Sequence, residues 1–212
     1  MFAVITSEKI QLPAGSVVRL PGSWQDYQLL TQQLGDRSCP RIKYRRGEIL
    51  LMAPLPAHGR KANVIADVVK VLLDHLGQEY EAFIPINIEM PEESGIEPDY
   101  CFYIDNWQAV AGKDRINWGV EPPPDLVIEI DVTSYTDVND YLPHQVPEVW
   151  IYKGNQLIIY SLQGDRYNVQ TNSRYFPNIN VLEITQECFQ IAYERNTSAA
   201  IRQLRQKLAS GN

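Results

Sequence analysis

The chain is poor in cysteine, has no excess of basic residues and contains no long apolar run. Each shortage closes off a class of protein. Cys39, Cys101 and Cys188 are the only cysteines in 212 residues. They are far apart, odd in number and form no CxxC pair. This argues against a disulfide framework or a cysteine zinc site and fits a reduced cytoplasm. No run of about 18 apolar residues occurs, so no membrane span is expected. The opening MFAVITSEKIQLPAG lacks a basic stretch followed by an apolar one, so no signal peptide is read. The net charge of −7 speaks against a protein that coats nucleic acid non-specifically, since phosphate contacts need a basic surface. A nuclease stays open, because metal ions can carry the local positive charge. No Walker loop, dinucleotide fingerprint, GxSxG or HExxH is present, which leaves NTPase, dehydrogenase, esterase and zinc-protease readings without support.

What is present supports a folded core. Hydrophobic residues make up 44% of the chain. No internal repeat, low-complexity tract or interdomain linker appears, so one domain over 1–212 is expected, with an N-terminal arm at 1–20 and a C-terminal helix within 195–212. Ser23 can cap a helix from Trp24 to about Leu34, which Gly35 closes. Residues 41–53 read as a hairpin that turns at Arg46-Gly47. Val64, Ile65, Val68, Val69, Leu72, Leu73 and Leu76 recur at helical spacing, giving the strongest helix from about His58 to Leu76. Strands are expected at 82–88, 100–104, 126–132, 149–152 and 157–162, and a final helix at 198–208. Trp107–Val120 reads as loop. The fold class that follows is α/β or α+β around a mixed sheet.

Two of these strands carry chemistry. Gly95-Ile96-Glu97-Pro98-Asp99-Tyr100-Cys101-Phe102-Tyr103-Ile104 and Pro123-Pro124-Asp125-Leu126-Val127-Ile128-Glu129-Ile130-Asp131-Val132 each set acids in an apolar frame. Strands of this composition are buried on at least one face. A carboxylate there is costly unless its charge is compensated. A divalent cation shared by two converging carboxylates would do so, which points to Mg²⁺ or Mn²⁺ with oxygen ligands and to phosphodiester hydrolysis. The opposing reading makes Asp99 a turn residue and Glu129 a surface strand residue.

Five segments, PGSWQDYQLLTQQLGDR, RIKYRRGEILLMAPLPAHGR, GIEPDYCFYI, PPPDLVIEIDVTS and VPEVWIYKGNQLIIYSL, resemble the Uma-two family of restriction-endonuclease-like proteins over roughly residues 20–165. The resemblance implies the PD-(D/E)XK fold, a central mixed sheet flanked by helices with a metal site at its middle strands. Residue by residue, Asp99 is similar to the aspartate of the Pro-Asp half-motif and Glu129 to the second acid. Glu48 resembles an acid that the family often carries on its early hairpin. The general pattern has lysine two residues after the second acid, where this chain has Asp131. Related members share that substitution, and some restore a basic side chain from the following helix. Residues 133–145 hold no Lys or Arg, and Pro143 restricts any helix there.

Asp131 shares a strand face with Glu129, so it either ligates or crowds the site with negative charge. His58 either approaches phosphate or serves as a polar residue at a helix start. Lys61, or Arg60 beside it, could stand in for the missing lysine. Arg41, Lys43, Arg45 and Arg46 read as a solvated face. Asp125 reads as a turn residue. The expectation is a Mg²⁺- or Mn²⁺-dependent DNA endonuclease in which Asp99 and Glu129 bind the metal, with Glu48 and Asp131 as auxiliary acids. The alternative is a degenerate nuclease fold that serves as an interaction module. A mixed sheet, four tryptophans and an exposed C-terminal strand pair point to a homodimer.

Overall fold

A computed structural model describes residues 11–35, 37, 39–131 and 136–211. Among these described residues the fold is mixed α+β, with four helices and two sheets. The strands are β1 (Val17–Pro21), β2 (Arg41–Arg45), β3 (Glu48–Met52), β4 (Glu81–Phe83), β5 (Ile88–Met90), β6 (Ser94–Ile96), β7 (Tyr100–Tyr103), β8 (Leu126–Asp131), β9 (Glu148–Lys153), β10 (Gln156–Gln163) and β11 (Arg166–Gln170). The helices are α1 (Trp24–Leu34), α2 (Pro56–Leu76), α3 (Val181–Glu194) and α4 (Thr197–Ala209). One sheet runs β1-β3-β2-β6-β5. The other runs β11-β10-β9-β8-β7-β4. Among the described strands only β8 and β9 pair in parallel.

Local chemistry explains the element ends. Ser23 and Asp26 form a reciprocal capping box on α1, with the Asp26 backbone N–H donating to Ser23 Oγ. Pro56 opens α2, where its missing N–H costs nothing, and Gly77 ends it in the left-handed region at φ 64°. At Gly95 a close approach sets the residue type, since a Cβ there would lie 2.5 Å from the Tyr27 ring.

The alternation of β2 gives the first sheet one apolar and one cationic face. Ile42 and Tyr44 point to α1 and pack with Trp24, Tyr27, Ile49 and Leu51. Arg41, Lys43 and Arg45 therefore leave by the other face. In the second sheet Tyr100, Phe102, Leu126, Ile128 and Ile130 pack under α2, α3 and α4. Cys101, Val127, Val149 and Ile151 form the opposite face, met by Ile88 and Ile96 from the first sheet. Asp99, Glu129 and Asp131 share the parity of that face.

The structure departs from the sequence reading in three places. The expected strand at 82–88 divides into β4 and β5, in different sheets, because Pro85 cannot donate to a ladder. The 95–104 stretch divides likewise at Pro98, into β6 and β7. β11 and α3 were not expected. The Val181, Ile184 and Cys188 stripe of α3 is buried, as a helical period requires.

Candidate active site

The site forms where the cationic face of β2 meets the acidic ends of β7 and β8. Antiparallel pairing sets Tyr100 opposite Ile128, so Asp99, one step beyond, stands across from Glu129. Both are buried, at 4% and 3% exposure. The Ile130 N–H donates to Asp99 Oδ2 at 2.8 Å, which ties the two strands at the site.

The charges of both acids are compensated, as burial demands, and the compensating groups come from the chain itself. Arg41 pairs with Asp99 Oδ1, and His58 Nε2 lies 2.7 Å from both Asp99 oxygens. His58 is carried there by the first turn of α2. Burial works against the Asp99 carboxylate, yet His58 and Arg41 hold its pKa below the usual range. Lys43 Nζ lies 2.7 Å from Glu129 Oε1, and the Tyr141 hydroxyl donates to the same oxygen at 2.5 Å. Burial alone would lower the pKa of the Lys43 ammonium. The Glu129 carboxylate outweighs it and holds the pKa above its ordinary value. Burial and the Glu129 charge also push the Tyr141 phenol well up, so it stays a donor.

The pairing extends along β2. Arg45 reaches Asp137 at 3.1 Å and Asp140 at 2.5 Å, the cap and a member of the 3₁₀ turn Val138–Tyr141 that delivers Tyr141. Glu97 Oε1 lies 3.6 Å from Arg41 Nε. Burial raises the Glu97 carboxyl to about 7 despite Arg41 and Lys43, and Asp99 and Glu129 add to the rise. Beside this row a cleft of about 270 Å³ opens, lined among others by Arg19, Lys43, Arg45, Arg46, Glu48 and Asp140.

The structure thus brings Asp99, Glu129 and His58 together and spreads the other candidates. Asp131 follows on the same face and pairs with Lys153 at 2.7 Å. Glu48 is exposed, across from Arg45 at the turn end of the hairpin, and lines the cleft rather than the acid pair. Lys61 sits over the Tyr152 ring, 5.1 Å from its centroid, under the helical layer. Arg60 is exposed. Asp125 organises the loop before β8, accepting from the Ile104 and Asn106 backbone N–H groups and from Asn106 Nδ2. Of the segment after β8, Val132, Thr133, Ser134 and Tyr135 lie outside the described residues.

Sequence reasoning missed Arg41, Lys43 and Tyr141. The solvated face read for Arg41, Lys43 and Arg45 is an ion-paired one. The signal was the strict alternation Arg-Ile-Lys-Tyr-Arg, which sets three cations on one strand face and two core residues on the other. Among the described residues, no group of three or more His, Cys, Asp or Glu side chains converges as a metal site. No helix among them is long and apolar enough to cross a membrane.

Comparison with known proteins gives the family. No curated protein matches the chain. A solved structure, titled a putative nuclease belonging to DUF820 from Anabaena variabilis ATCC 29413, is similar at 15% identity and a TM-score of 0.49. The similarity covers 77% of this chain and 92% of that one. The family model Uma2, described as "Putative restriction endonuclease", matches residues 24–193. That match spans most of the chain and all of the elements that build the acid pair and its cations, so the chain belongs to the Uma2 family.

Proposed function

We propose that this chain is a divalent-metal-dependent nuclease acting on DNA phosphodiester bonds, with Asp99 and Glu129 as the metal-binding acids and Lys43 as the lysine of the site. The observation that carries the reading is the Lys43 ammonium 2.7 Å from Glu129. It brings acid, acid and lysine together although the lysine comes from the hairpin rather than from two residues after the acid.

The donor set suits a hard cation. Asp99 and Glu129 offer only oxygen, and Mg²⁺ commonly takes one or two carboxylates and completes its shell with water and substrate phosphate. Glu97, Asp99, Glu129 and Asp131 gather beside Arg41, Lys43, His58 and Lys153, and the Glu97 carboxyl is raised by its burial, with Asp99 and Glu129 adding to the rise. A bound divalent ion would polarise the phosphate and lower the pKa of a bound water. The chain's own groups do the rest. Tyr141 and Lys43 fix the orientation of Glu129. His58 and the Ile130 N–H fix Asp99. Lys43, half-buried, places a positive charge beside the position of the phosphate.

A second reading, an inactive interaction module, is favoured by one observation. Asp99 already accepts from Arg41, His58 and the Ile130 N–H, so the chain satisfies its acid without any ion. Calorimetric titration with Mn²⁺, followed by cleavage assays on plasmid and single-stranded DNA, separates the two. The nuclease reading expects wild type to bind the ion and cut, and Glu129→Gln to do neither. Full cleavage in excess EDTA would refute a metal mechanism. Ion binding without cleavage of DNA or RNA would select the module.

A further inference from the structure

The cations of the site lie outside the acids they hold. The side chains of Arg41 and Lys43 retain 12% and 16% exposure, whereas those of Asp99 and Glu129 retain 2% and 4%. A group arriving from solvent therefore meets a cation before an acid. Arg41 also has two partners, since its Nε faces Glu97 while its terminal nitrogen holds Asp99. A divalent ion that binds the acid pair competes for Asp99 Oδ1, which Arg41 and His58 now hold, while Oδ2 is held by His58 and the Ile130 N–H. Guanidinium and metal on one carboxylate would also repel each other strongly in so buried a place. A displaced Arg41 would keep its Glu97 anchor and stay above the site, with its planar donors open. The anion that matches such a fork, besides carboxylate, is phosphate.

We propose that Arg41 is an exchange residue. It holds the Asp99 carboxylate in the metal-free chain and passes to the scissile phosphate when the ion binds. The inference rests on the nuclease reading and adds a phosphate-binding group to it. It makes Arg41 an internal competitor of the metal and a partner of the substrate, so removing it should push two affinities in opposite directions. A purely structural role moves both the same way or neither.

The test uses the full chain, with Arg41→Gln and Arg41→Lys compared with wild type after circular dichroism has checked folding. Calorimetry with Mn²⁺ alone should show Arg41→Gln binding the ion more tightly, by about tenfold, the change expected when one charge-assisted contact stops competing. Fluorescence anisotropy of a short labelled single-stranded oligodeoxynucleotide, with Ca²⁺ in place of Mn²⁺, should show weaker binding by a similar factor. Arg41→Lys keeps the charge but not the fork. It should fall between the two on both measurements, and it carries the test if the glutamine variant does not fold. Wild type that binds Mn²⁺ with Arg41→Gln no tighter would overturn the exchange and leave the nuclease reading standing. No Mn²⁺ binding by any of the three proteins would overturn both.

Discussion

Replacing Lys43 by Met tests the central contact directly. Methionine keeps most of the apolar stem of lysine and deletes the ammonium. Glu129 would then be held only by the Tyr141 hydroxyl, at 4% side-chain exposure and 2.5 Å from that donor. Removing one partner of a buried ion pair costs about 3–5 kcal/mol, because the remaining charge is left uncompensated. Lys43 retains some contact with solvent, so the lower end applies, at about 3 kcal/mol. The converse change, Glu129→Gln, strands an ammonium that can turn toward the cleft and should cost less, about 1–2 kcal/mol. The double variant loses the pair without stranding a charge, so it should be more stable than the sum of the single changes predicts, with a coupling of about 2 kcal/mol. Urea unfolding followed by circular dichroism reads this. With a slope of about 3 kcal/mol per molar for a chain of this size, Lys43→Met should lower the midpoint by about 1 M. Two single variants that each change stability by less than about 0.5 kcal/mol, and simply add, would behave as solvated surface residues. The ion pair, and the argument that Lys43 completes the site, would then fall.

Three further outcomes are expected. His144 is buried against Ser94 Oγ at 3.0 Å, and burial pulls its imidazole pKa down to about 4. The unfolded chain takes up that proton near 6.5 and the folded chain only near 4, so stability is complete above about 6.5 and is lost as pH falls toward 4. The loss amounts to about 3 kcal/mol, and a pH series of urea unfolding with His144→Asn should flatten it. Glu148, fully buried, accepts from Trp150 Nε1, Ser173 Oγ and the Arg174 N–H at 2.7, 2.6 and 2.9 Å. Glu148→Ala strands these donors and should lower stability by about 3 kcal/mol or more in thermal unfolding. The last concerns association. β11 is an edge strand whose Val169 is 65% exposed, which suits pairing with a second copy, and light scattering at micromolar concentration should report a homodimer.

Local signals in the sequence were readable where a residue acts on its neighbours. Ser23, Gly35 and Gly77 marked their helix ends, and the apolar period of α2 and the Arg46-Gly47 turn were where the pattern put them. That Asp99 and Glu129 need their charge compensated was also legible, because an acid in an apolar strand is costly alone. The answer itself was not. Asp99 and Arg41 lie 58 residues apart in sequence, and Glu129 and Lys43 lie 86 apart. Nothing in either local pattern says which distant strand will face the other. Periodicity also could not show that Pro85 and Pro98 send one continuous-looking stretch into two sheets, since alternation looks the same in both.

The site is split between two sheets, with its cations on β2 and its acids just before β7 and on β8. Neither half is tolerable alone, for a lone cationic strand face or a lone pair of sunken carboxylates is a defect. Drift at one of these positions should therefore be answered at its opposite number. In an alignment of close relatives, those that keep the acids at 99 and 129 should keep a cation at 41 and 43, and those that lose an acid should lose the opposing cation with it.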